Sequence, residues 1–177
     1  YSTGYMEVEN SFFQGNRAVQ SGGAIAKDSS TNYPTSAGAV RYSTFVDNHA
    51  AAGGALYNAG TTNTAIASGN SLYMSNTPDT CAGSLFTSAG YINGYNITSD
   101  GSCLTAFMQS GDLHAQPLPN TAQAYRRELP NGIGVFEFAM LRPGSGNPAI
   151  NAIPTIYCGL TLDLLGMPRP GGSGCDV

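Results

Sequence analysis

The sequence predicts an all-β protein, namely a right-handed parallel β-helix of about three rungs followed by an irregular, disulfide-bonded C-terminal cap. Three observations predict this fold. The chain of 177 residues has 23 glycines, no tryptophan and only 10% charged residues, a composition that suits short strands and turns better than a helical bundle. A motif recurs about every thirty residues, as in stacked repeat architectures. The four cysteines form no Cys-x-x-Cys pair, which favours disulfides over a zinc site.

The repeat consists of two motifs that recur in the same order. The first motif is Asn10–Asn16 and returns as Tyr42–Asn48; the second is Gly22–Ile25 and returns as Gly53–Leu56. A weaker third copy of the first motif, Asn70–Asn76, lacks the glycine pair and leads into the first cysteine. Because one such repeat cannot bury its own apolar side whereas stacked repeats can, we expect residues 1–78 to form the rungs, as the C-terminal part of a longer β-helix.

Each repeat is predicted to contain short strands separated by turns. In the first copy, Met6 and Val8 alternate with Glu7 and Glu9, which is the period-two pattern of a strand with one buried face. The paired glycines allow a sharp turn and the close approach of a neighbouring strand. A rival interpretation is an antiparallel sandwich with glycine turns.

Stacking of the repeats predicts two columns of equivalent side chains. We expect the asparagine that stands three residues after each aromatic residue to occupy a bend with unusual backbone dihedrals. At a strand spacing of about 4.8 Å, the asparagines would hydrogen-bond in a ladder and the aromatic rings would stack inside. The residues of these columns are Asn16, Asn48, Asn76, Phe13, Phe45 and Tyr73.

Residues 79–177 are predicted to form the loop-rich cap with two disulfides. Four cysteines allow three pairings, and sequence alone does not choose among them. We favour the sequential pairing, Cys81 with Cys103 and Cys158 with Cys175, in which each bridge closes a loop of roughly twenty residues and contributes about 3 kcal/mol. Disulfides indicate an oxidising compartment, so we expect an exported protein that is extracellular, at the cell surface or periplasmic.

Two further segments of the cap carry local signals. The apolar run Val135–Leu141 predicts one strand, and Tyr125–Leu129 predicts a short helical turn. The dipeptide Asn131–Gly132 is a hairpin-turn signal, which lies outside the repeat.

The motifs of both halves resemble those of known families. The Phe-x-x-Asn and Gly-Gly-Ala-Ile/Leu motifs look like the repeats of polymorphic outer-membrane proteins. The second half is similar to the choice-of-anchor Q family of secreted, pectin-lyase-like β-helix proteins. The motifs that carry this second resemblance are Cys81-Ala82-Gly83, Gly90-Tyr91, Gly94-Tyr95-Asn96-Ile97, Ser99-Asp100-Gly101-Ser102-Cys103, Gly111-Asp112-Leu113, Leu141-Arg142-Pro143-Gly144-Ser145, Asn147-Pro148-Ala149-Ile150, Gly166-Met167-Pro168-Arg169-Pro170 and Cys175-Asp176-Val177. The resemblance implies an exported, envelope-attached or released β-helix, often without a demonstrated chemistry.

Charge and hydropathy exclude two classes of function. The net charge is −4, and the seven Lys and Arg residues are scattered, whereas binding to duplex phosphates requires clustered cations. The longest apolar runs are only a few residues, too short for a transmembrane helix. We therefore expect no nucleic-acid partner and no transmembrane segment.

Patterns that could carry chemistry are weak, and we assign no catalytic, cofactor or metal role. Residues 144–149 match a dinucleotide-binding fingerprint, but Pro148 and Pro154 leave no helix to hold a pyrophosphate. Asp47 and His49 lie two residues apart and could form a base and its orienting group. We expect them instead to be surface residues beside a bend.

Acidic residues offer a further test of enzymatic function. Glu7 and Glu9 share a strand face, but the equivalent positions of the second repeat carry no acidic side chain, so we expect two solvated side chains. Asp79, Asp100 and Asp112 could gather near the first disulfide and hold calcium, but turn capping is the interpretation we prefer.

Tyrosines and one sequon suggest contacts with sugars. Tyrosine rings can stack on sugars, although most simply fill space; the candidates are Tyr42, Tyr57, Tyr91 and Tyr95. Asn96-Ile97-Thr98 is a formal glycosylation sequon, which makes Asn96 a possible glycosylation site.

Three functions remain open from the sequence. The first hypothesis is a non-catalytic, exported or cell-surface scaffold or adhesion domain, with carbohydrate or other envelope proteins as partners. The second is a subunit of a larger envelope assembly or filament that is joined through exposed strand edges. The third is a polysaccharide lyase or glycoside hydrolase, which a cleft lined with convergent carboxylates would favour.

Overall fold

The structure, a computed structural model, describes residues 5–27, 38–60, 65–84, 94–103, 108–117, 122–128, 135–141, 147–164, 166–170 and 172–177. The protein is all-β, with parallel sheets and two disulfides. The strands of the repeats are β1 (Met6–Glu9), β2 (Phe12–Gln14), β3 (Ile25–Lys27), β4 (Gly38–Arg41), β5 (Thr44–Val46), β6 (Leu56–Asn58), β7 (Ile66–Gly69), β8 (Leu72–Met74) and β9 (Cys81–Gly83). We call β1–β3, β4–β6 and β7–β9 the first, second and third repeats.

Each repeat contributes one strand to each of three sheets, always in the same order along the chain. Sheet 1 has the order β1-β4-β7, and sheet 3 has the order β3-β6-β9. Sheet 2 has the order β2-β5-β8-β10, where β10 is Ile97–Thr98. All of these neighbours pair in parallel. The antiparallel sandwich considered for the repeats is therefore wrong.

The register of the sheets follows the sequence repeat. Phe13 pairs with Phe45, and Phe45 with Tyr73. In sheet 3, Cys81 occupies the register position that an aliphatic residue holds in each of the first two repeats. The glycine pairs make this close stacking possible. A Cβ on Gly54 would lie 2.5 Å from the backbone nitrogen of the third repeat's Thr77, a separation that real Cβ atoms do not adopt.

One apolar cluster joins strands of all three sheets. Its fully or nearly fully buried members include Ile25, Val40, Phe45, Leu56, Ile66 and Tyr73. Burial of each such side chain contributes about 1.5–3 kcal/mol. The alternation predicted for β1 is present, since Glu7 and Glu9 are exposed while Met6 and Val8 are partly buried.

Parallel pairing continues past residue 78, where the sequence similarity between repeats ends. β9 and β10 extend sheets 3 and 2, and Leu113 forms a further parallel bridge with Ile97. The prediction of irregular structure from residue 79 onward is therefore wrong for these positions. The strands persist because backbone hydrogen bonds define them, even where the side-chain motif has changed.

The remaining strands pair in antiparallel fashion. β11 (Ala122–Glu128) pairs with β12 (Val135–Leu141), and β13 (Ile153–Pro154) pairs with β14 (Gly174–Cys175). The strand predicted at 135–141 is confirmed. The helical turn predicted at 125–129 is wrong over its described residues, 125–128, because cross-strand pairing with β12 overrides the weak local propensity of so short a segment.

The C-terminal segment, residues 147–177, packs against the outer face of sheet 2. Side chains alternate across a strand, so Leu72 faces outward next to the interior Tyr73 and lies in a second buried cluster with Ile97 and Ala149. The segment also contacts the second repeat, because the guanidinium carbon of Arg169 lies 5.7 Å from the centroid of the Tyr42 ring. It therefore covers the side of the repeats.

Candidate functional site: the stacked columns

The predicted asparagine column consists of continuous hydrogen bonds. The Asn16 Nδ2 donates to Asn48 Oδ1 at 2.8 Å, and Asn48 Nδ2 donates to Asn76 Oδ1 at 3.0 Å. The backbone nitrogens of Asn16 and Asn48 donate to the same two oxygens at 3.1 Å. Each Nδ2 of the two inner asparagines also reaches a carbonyl of the preceding repeat, Phe13 O at 3.0 Å and Phe45 O at 3.1 Å. The column thus ties side chain and backbone of successive repeats together.

The bend at this column differs from the prediction. The positive backbone φ falls on the residue before each asparagine, at Gly15 (63°), Asp47 (54°) and Ser75 (53°). The asparagines themselves are absent from the positive-φ positions. Asparagine therefore suits this position because its amide both donates and accepts along the stack, and not because it tolerates unusual dihedrals.

The aromatic column is likewise formed. The ring centroids of Phe13 and Phe45 lie 4.8 Å apart with an interplanar angle of 1°, and those of Phe45 and Tyr73 lie 4.9 Å apart at 11°. Phe45 and Tyr73 are fully buried, whereas Phe13 is only partly buried. The column ends at Thr98, which pairs with Tyr73 in register.

The tyrosine hydroxyl belongs to a buried polar network that the sequence analysis missed. Ser68 Oγ donates to Asn96 Oδ1 at 2.8 Å, so the Tyr73 hydroxyl donates to Ser68 Oγ, 2.7 Å away. Burial raises the pKa of Tyr73 above its ordinary value. The single hydroxyl on an otherwise apolar column is satisfied inside the protein, as buried polar groups require.

A serine column was also missed. The backbone nitrogens of Ser11 and Ser43 each donate to the Oγ of the next serine at 3.2 Å, and the column ends at Ser71. The residue before each serine has a positive φ, at Asn10 (47°), Tyr42 (49°) and Asn70 (54°). The signal for this corner was present in the sequence, since a serine stands at the second position of every copy of the first motif.

The structure does not allow a glycan on Asn96 in the folded protein. Asn96 has no exposed surface. Its Nδ2, the atom that would carry the sugar, donates to Ser68 O at 2.9 Å and to Asp112 Oδ1 at 3.0 Å. The possible glycosylation of Asn96 is therefore corrected to a structural role, in which the amide fills a buried position between sheets 1 and 2.

The acidic residues considered for calcium are held separately. Asp100 Oδ2 accepts from Thr80 N at 2.9 Å and from Thr80 Oγ1 at 2.6 Å, while its Oδ1 accepts from Ser102 N at 2.8 Å. Asp112 accepts from Asn96 and, through Oδ2, from Gln109 N at 2.8 Å. Asp79 is exposed. Within the described ranges, no three His, Cys, Asp or Glu side chains gather as metal ligands.

Both disulfides have the sequential pairing. Cys81 and Cys103 have Cα atoms 5.4 Å apart, and Cys158 and Cys175 have Cα atoms 5.7 Å apart. The first bridge belongs to the core of the repeats, where Cys103 is fully buried. The second bridge joins two positions within the C-terminal segment and lies in a separate cluster with Ile153.

The other side chains singled out for chemistry are dispersed. His49 is exposed and its Nδ1 lies 2.8 Å from Thr77 Oγ1, so its ring contacts the adjacent repeat. Glu7 and Arg41 form a partly exposed ion pair at 3.1 Å, which contributes less than about 1 kcal/mol. A second histidine, His114, for which the sequence offers no chemical motif, has its Nδ1 3.4 Å from Thr98 Oγ1 at the end of the aromatic column.

The tyrosines proposed for sugar stacking have mixed surroundings. Tyr42 contacts Arg169, and the Tyr95 and Tyr157 ring centroids lie 5.8 Å apart. Both contacts join the C-terminal segment to residues that precede it in the chain. Tyr57 is partly exposed in β6. Tyr91 and residues 144–146 of the dinucleotide fingerprint lie outside the described residues.

Comparisons with known proteins add no relative. No family model, curated protein or solved structure matches this chain. Among the residues that the structure describes, none forms a helix with the length and apolar character needed to cross a membrane.

Proposed function

We propose that the protein is a non-catalytic, exported or cell-surface scaffold or adhesion domain built on a right-handed parallel β-helix. The fold proposal is supported by three parallel sheets that the chain visits three times in one order. It is also supported by columns of equivalent side chains that run through successive repeats. The right-handed sense follows from the strong preference of parallel crossovers for that hand.

The observation that carries the functional proposal is the use of polar side chains to join repeats. The asparagines and serines of the columns donate to and accept from one another. The carboxylates of Asp100 and Asp112 accept hydrogen bonds from backbone and side chains on each side. A catalytic acid or base needs access to a substrate proton, whereas these groups are engaged in holding the fold.

Export is supported by covalent chemistry. All four cysteines are in disulfides, and such bonds persist in oxidising compartments. The likeness of the motifs to the choice-of-anchor Q family and to polymorphic outer-membrane proteins also supports export. Carbohydrate or other envelope proteins are the partner classes that fit a domain of this kind.

A polysaccharide screen tests the proposal. The purified chain is incubated with a library of polysaccharides, and both retention on the glycan and release of reducing or unsaturated ends are measured. We expect no turnover. Turnover that is abolished by Glu7→Gln, Asp47→Asn or Asp79→Asn, with an unchanged melting temperature, would overturn the scaffold function in favour of a lyase or hydrolase. These three carboxylates are exposed, so the substitutions should leave folding intact.

A second candidate, a subunit of a larger envelope assembly, is favoured by one specific observation. Among the residues that the structure describes, β1, β2 and β3 are the end strands of the three parallel sheets, and all belong to the first repeat. End strands accept additional strands unless they are covered. Chemical cross-linking in the native source should then capture a neighbour at the first repeat. Recovery of the chain without any neighbour there would contradict this candidate.

A further inference from the structure

The C-terminal segment carries most of the large apolar side chains that are exposed among the described residues. Eight such side chains are exposed there, and five of them belong to this segment. The five are Ile156 (80% exposed), Tyr157 (36%), Leu162 (50%), Leu164 (36%) and Met167 (59%). Single exposed apolar residues are ordinary on a protein surface, whereas a group of them marks a site of interaction.

Three of these side chains stand on a hairpin whose arms are residues 161–163 and 167–169. Leu162 forms an antiparallel bridge with Pro168. Since neighbouring positions of a strand point to opposite faces, Met167 lies on the other face from Leu162. Both side chains are more than half or half exposed, so neither face of the hairpin is covered.

The hairpin pairs its own polar groups. Asp163 N donates to Met167 O at 2.9 Å, and Gly166 N donates to Asp163 O at 3.0 Å. The Asp163 carboxylate accepts from Met167 N at 2.8 Å, and Arg169 N donates to Thr161 O at 2.9 Å. Backbone groups that leave water for lipid must be paired within the protein. The groups joined by these bonds meet that requirement.

The base of the hairpin is held against the second repeat. The Arg169 guanidinium carbon lies 5.7 Å from the centroid of the Tyr42 ring, and the Tyr42 hydroxyl donates to Tyr157 O at 3.4 Å. Tyr157 and its neighbour Ile156 therefore lie next to the base of the hairpin. A group of apolar side chains that is fixed in this way loses little conformational entropy when it binds.

Charge and size favour a lipid surface over a protein partner. Residues 143–168 contain no lysine or arginine, and binding to anionic headgroups relies on clusters of such residues. The surface contacted is therefore expected to be uncharged. A stable protein interface uses about 20–30 residues from each partner, whereas five apolar side chains are exposed here. Lipid, unlike a flat protein surface, contacts both faces of a hairpin at once.

We infer that the hairpin is a lipid-contacting site, at which Leu162, Leu164 and Met167 enter the boundary between the headgroups and the acyl chains of a zwitterionic bilayer. The protein would lie on the membrane and would not span it. Binding strength scales with the apolar area that is buried. The inference names a lipid partner for the cell-surface role proposed above, and it rests on that role.

Vesicle binding tests the site. The full chain is sedimented with vesicles of phosphatidylcholine, or of phosphatidylcholine mixed with phosphatidylglycerol, at about 0.15 M and about 1 M salt. We expect binding to pure phosphatidylcholine that salt does not weaken, and binding about tenfold or more weaker for Leu162→Ser with Met167→Ser. The matched control is Val19→Ser with Met108→Ser, which removes side chains that are 94% and 75% exposed elsewhere. This control should bind like the wild type.

A fluorescent reporter locates the contact. The chain has no tryptophan, so Leu164→Trp supplies a single indole emission. We expect this emission to shift to shorter wavelength on vesicles and to be quenched by brominated phosphatidylcholine. Val19→Trp is the control, and its emission should not change. The melting temperature of each variant shows that it is folded.

Several results would overturn the inference. These are no binding of the folded wild type to phosphatidylcholine, equal binding of the two double variants, and binding that needs phosphatidylglycerol and falls with salt. Self-association without vesicle binding, abolished by Leu162→Ser with Met167→Ser, would also overturn it and make a second copy the occupant. A failure of vesicle binding leaves the scaffold function in place. Polysaccharide turnover, in contrast, would refute the scaffold function and leave the vesicle result unchanged.

Discussion

Replacement of the central asparagine of the column, Asn48→Ala, should be among the most damaging polar substitutions in the protein. Asn48 has no exposed surface, and its side chain makes four hydrogen bonds. It accepts two from Asn16 and donates one each to Asn76 Oδ1 and Phe13 O. Alanine removes all four bonds, three of which join the second repeat to the first and one of which joins it to the third.

The size of the effect follows from the groups left behind. A buried polar group that loses its partner costs about 1–3 kcal/mol. Phe13 O loses this donor, while Asn76 Oδ1 keeps the bond from the backbone N of residue 48 at 3.1 Å. We therefore expect Asn48→Ala to lower the free energy of unfolding by about 2–4 kcal/mol. Domains of this kind have about 5–15 kcal/mol in total, so the loss is a large fraction.

Asn16→Ala is the matched control. Asn16 is exposed, and its side chain makes one bond, to Asn48 Oδ1 at 2.8 Å. In the variant, that oxygen keeps the bond from the backbone N of residue 16 at 3.1 Å. We expect a loss below about 1 kcal/mol. Urea unfolding with the disulfides intact measures both variants, and unchanged m values show that the denatured states are comparable. If Asn48→Ala is no less stable than Asn16→Ala, the column does not stabilise the stack and the reasoning fails.

Three further predictions address the core, the glycine pair and the C-terminal segment. The buried hydroxyl of Tyr73 has a pKa above its ordinary 10.0, so as pH rises above 10 the unfolded chain loses this proton first. Wild-type unfolding free energy should then fall by up to about 1.4 kcal/mol per pH unit, and urea titrations should show a smaller fall in Tyr73→Phe. Gly54→Ala places a methyl group against the backbone of the third repeat and should lower the melting temperature more than Gly38→Ala, whose methyl group would meet side-chain atoms only, the nearest being the flexible end of Met6 at 3.2 Å. Cys158→Ser with Cys175→Ser should make the C-terminal segment sensitive to limited proteolysis, and early cleavage inside the repeats would contradict its placement on the outside of sheet 2.

The repeat made much of the architecture predictable. Phe13 and Phe45 hold equivalent places in two copies of one motif, and equivalent residues of parallel, in-register strands lie next to each other. The same logic placed Asn16 beside Asn48. The sequential pairing of cysteines was one of three possibilities that the sequence left open, and it is the pairing that the structure has.

Local pattern failed where a residue's partner is distant in sequence and outside the motif. Asn96 reads as a glycosylation sequon, yet its amide is bonded to Ser68 and Asp112, 28 and 16 residues away. Tyr125–Glu128 has weak helical propensity but lies in a strand because β12 is opposite it. In the second case the pairing with β12 outweighs a local preference of a few tenths of a kcal/mol per residue.

The sequence by itself determined the spacing of the repeats, the residues that stack and the strand at 135–141, because these depend on periodicity along one chain. Only the tertiary structure decided that Asp100 and Asp112 accept hydrogen bonds from Thr80 and Asn96 and that the C-terminal segment packs against sheet 2. Those features depend on which donors and apolar surfaces remain unmatched after the repeats have stacked. These unmatched groups can be identified only once the strands have folded together, so no single sequence motif predicts them.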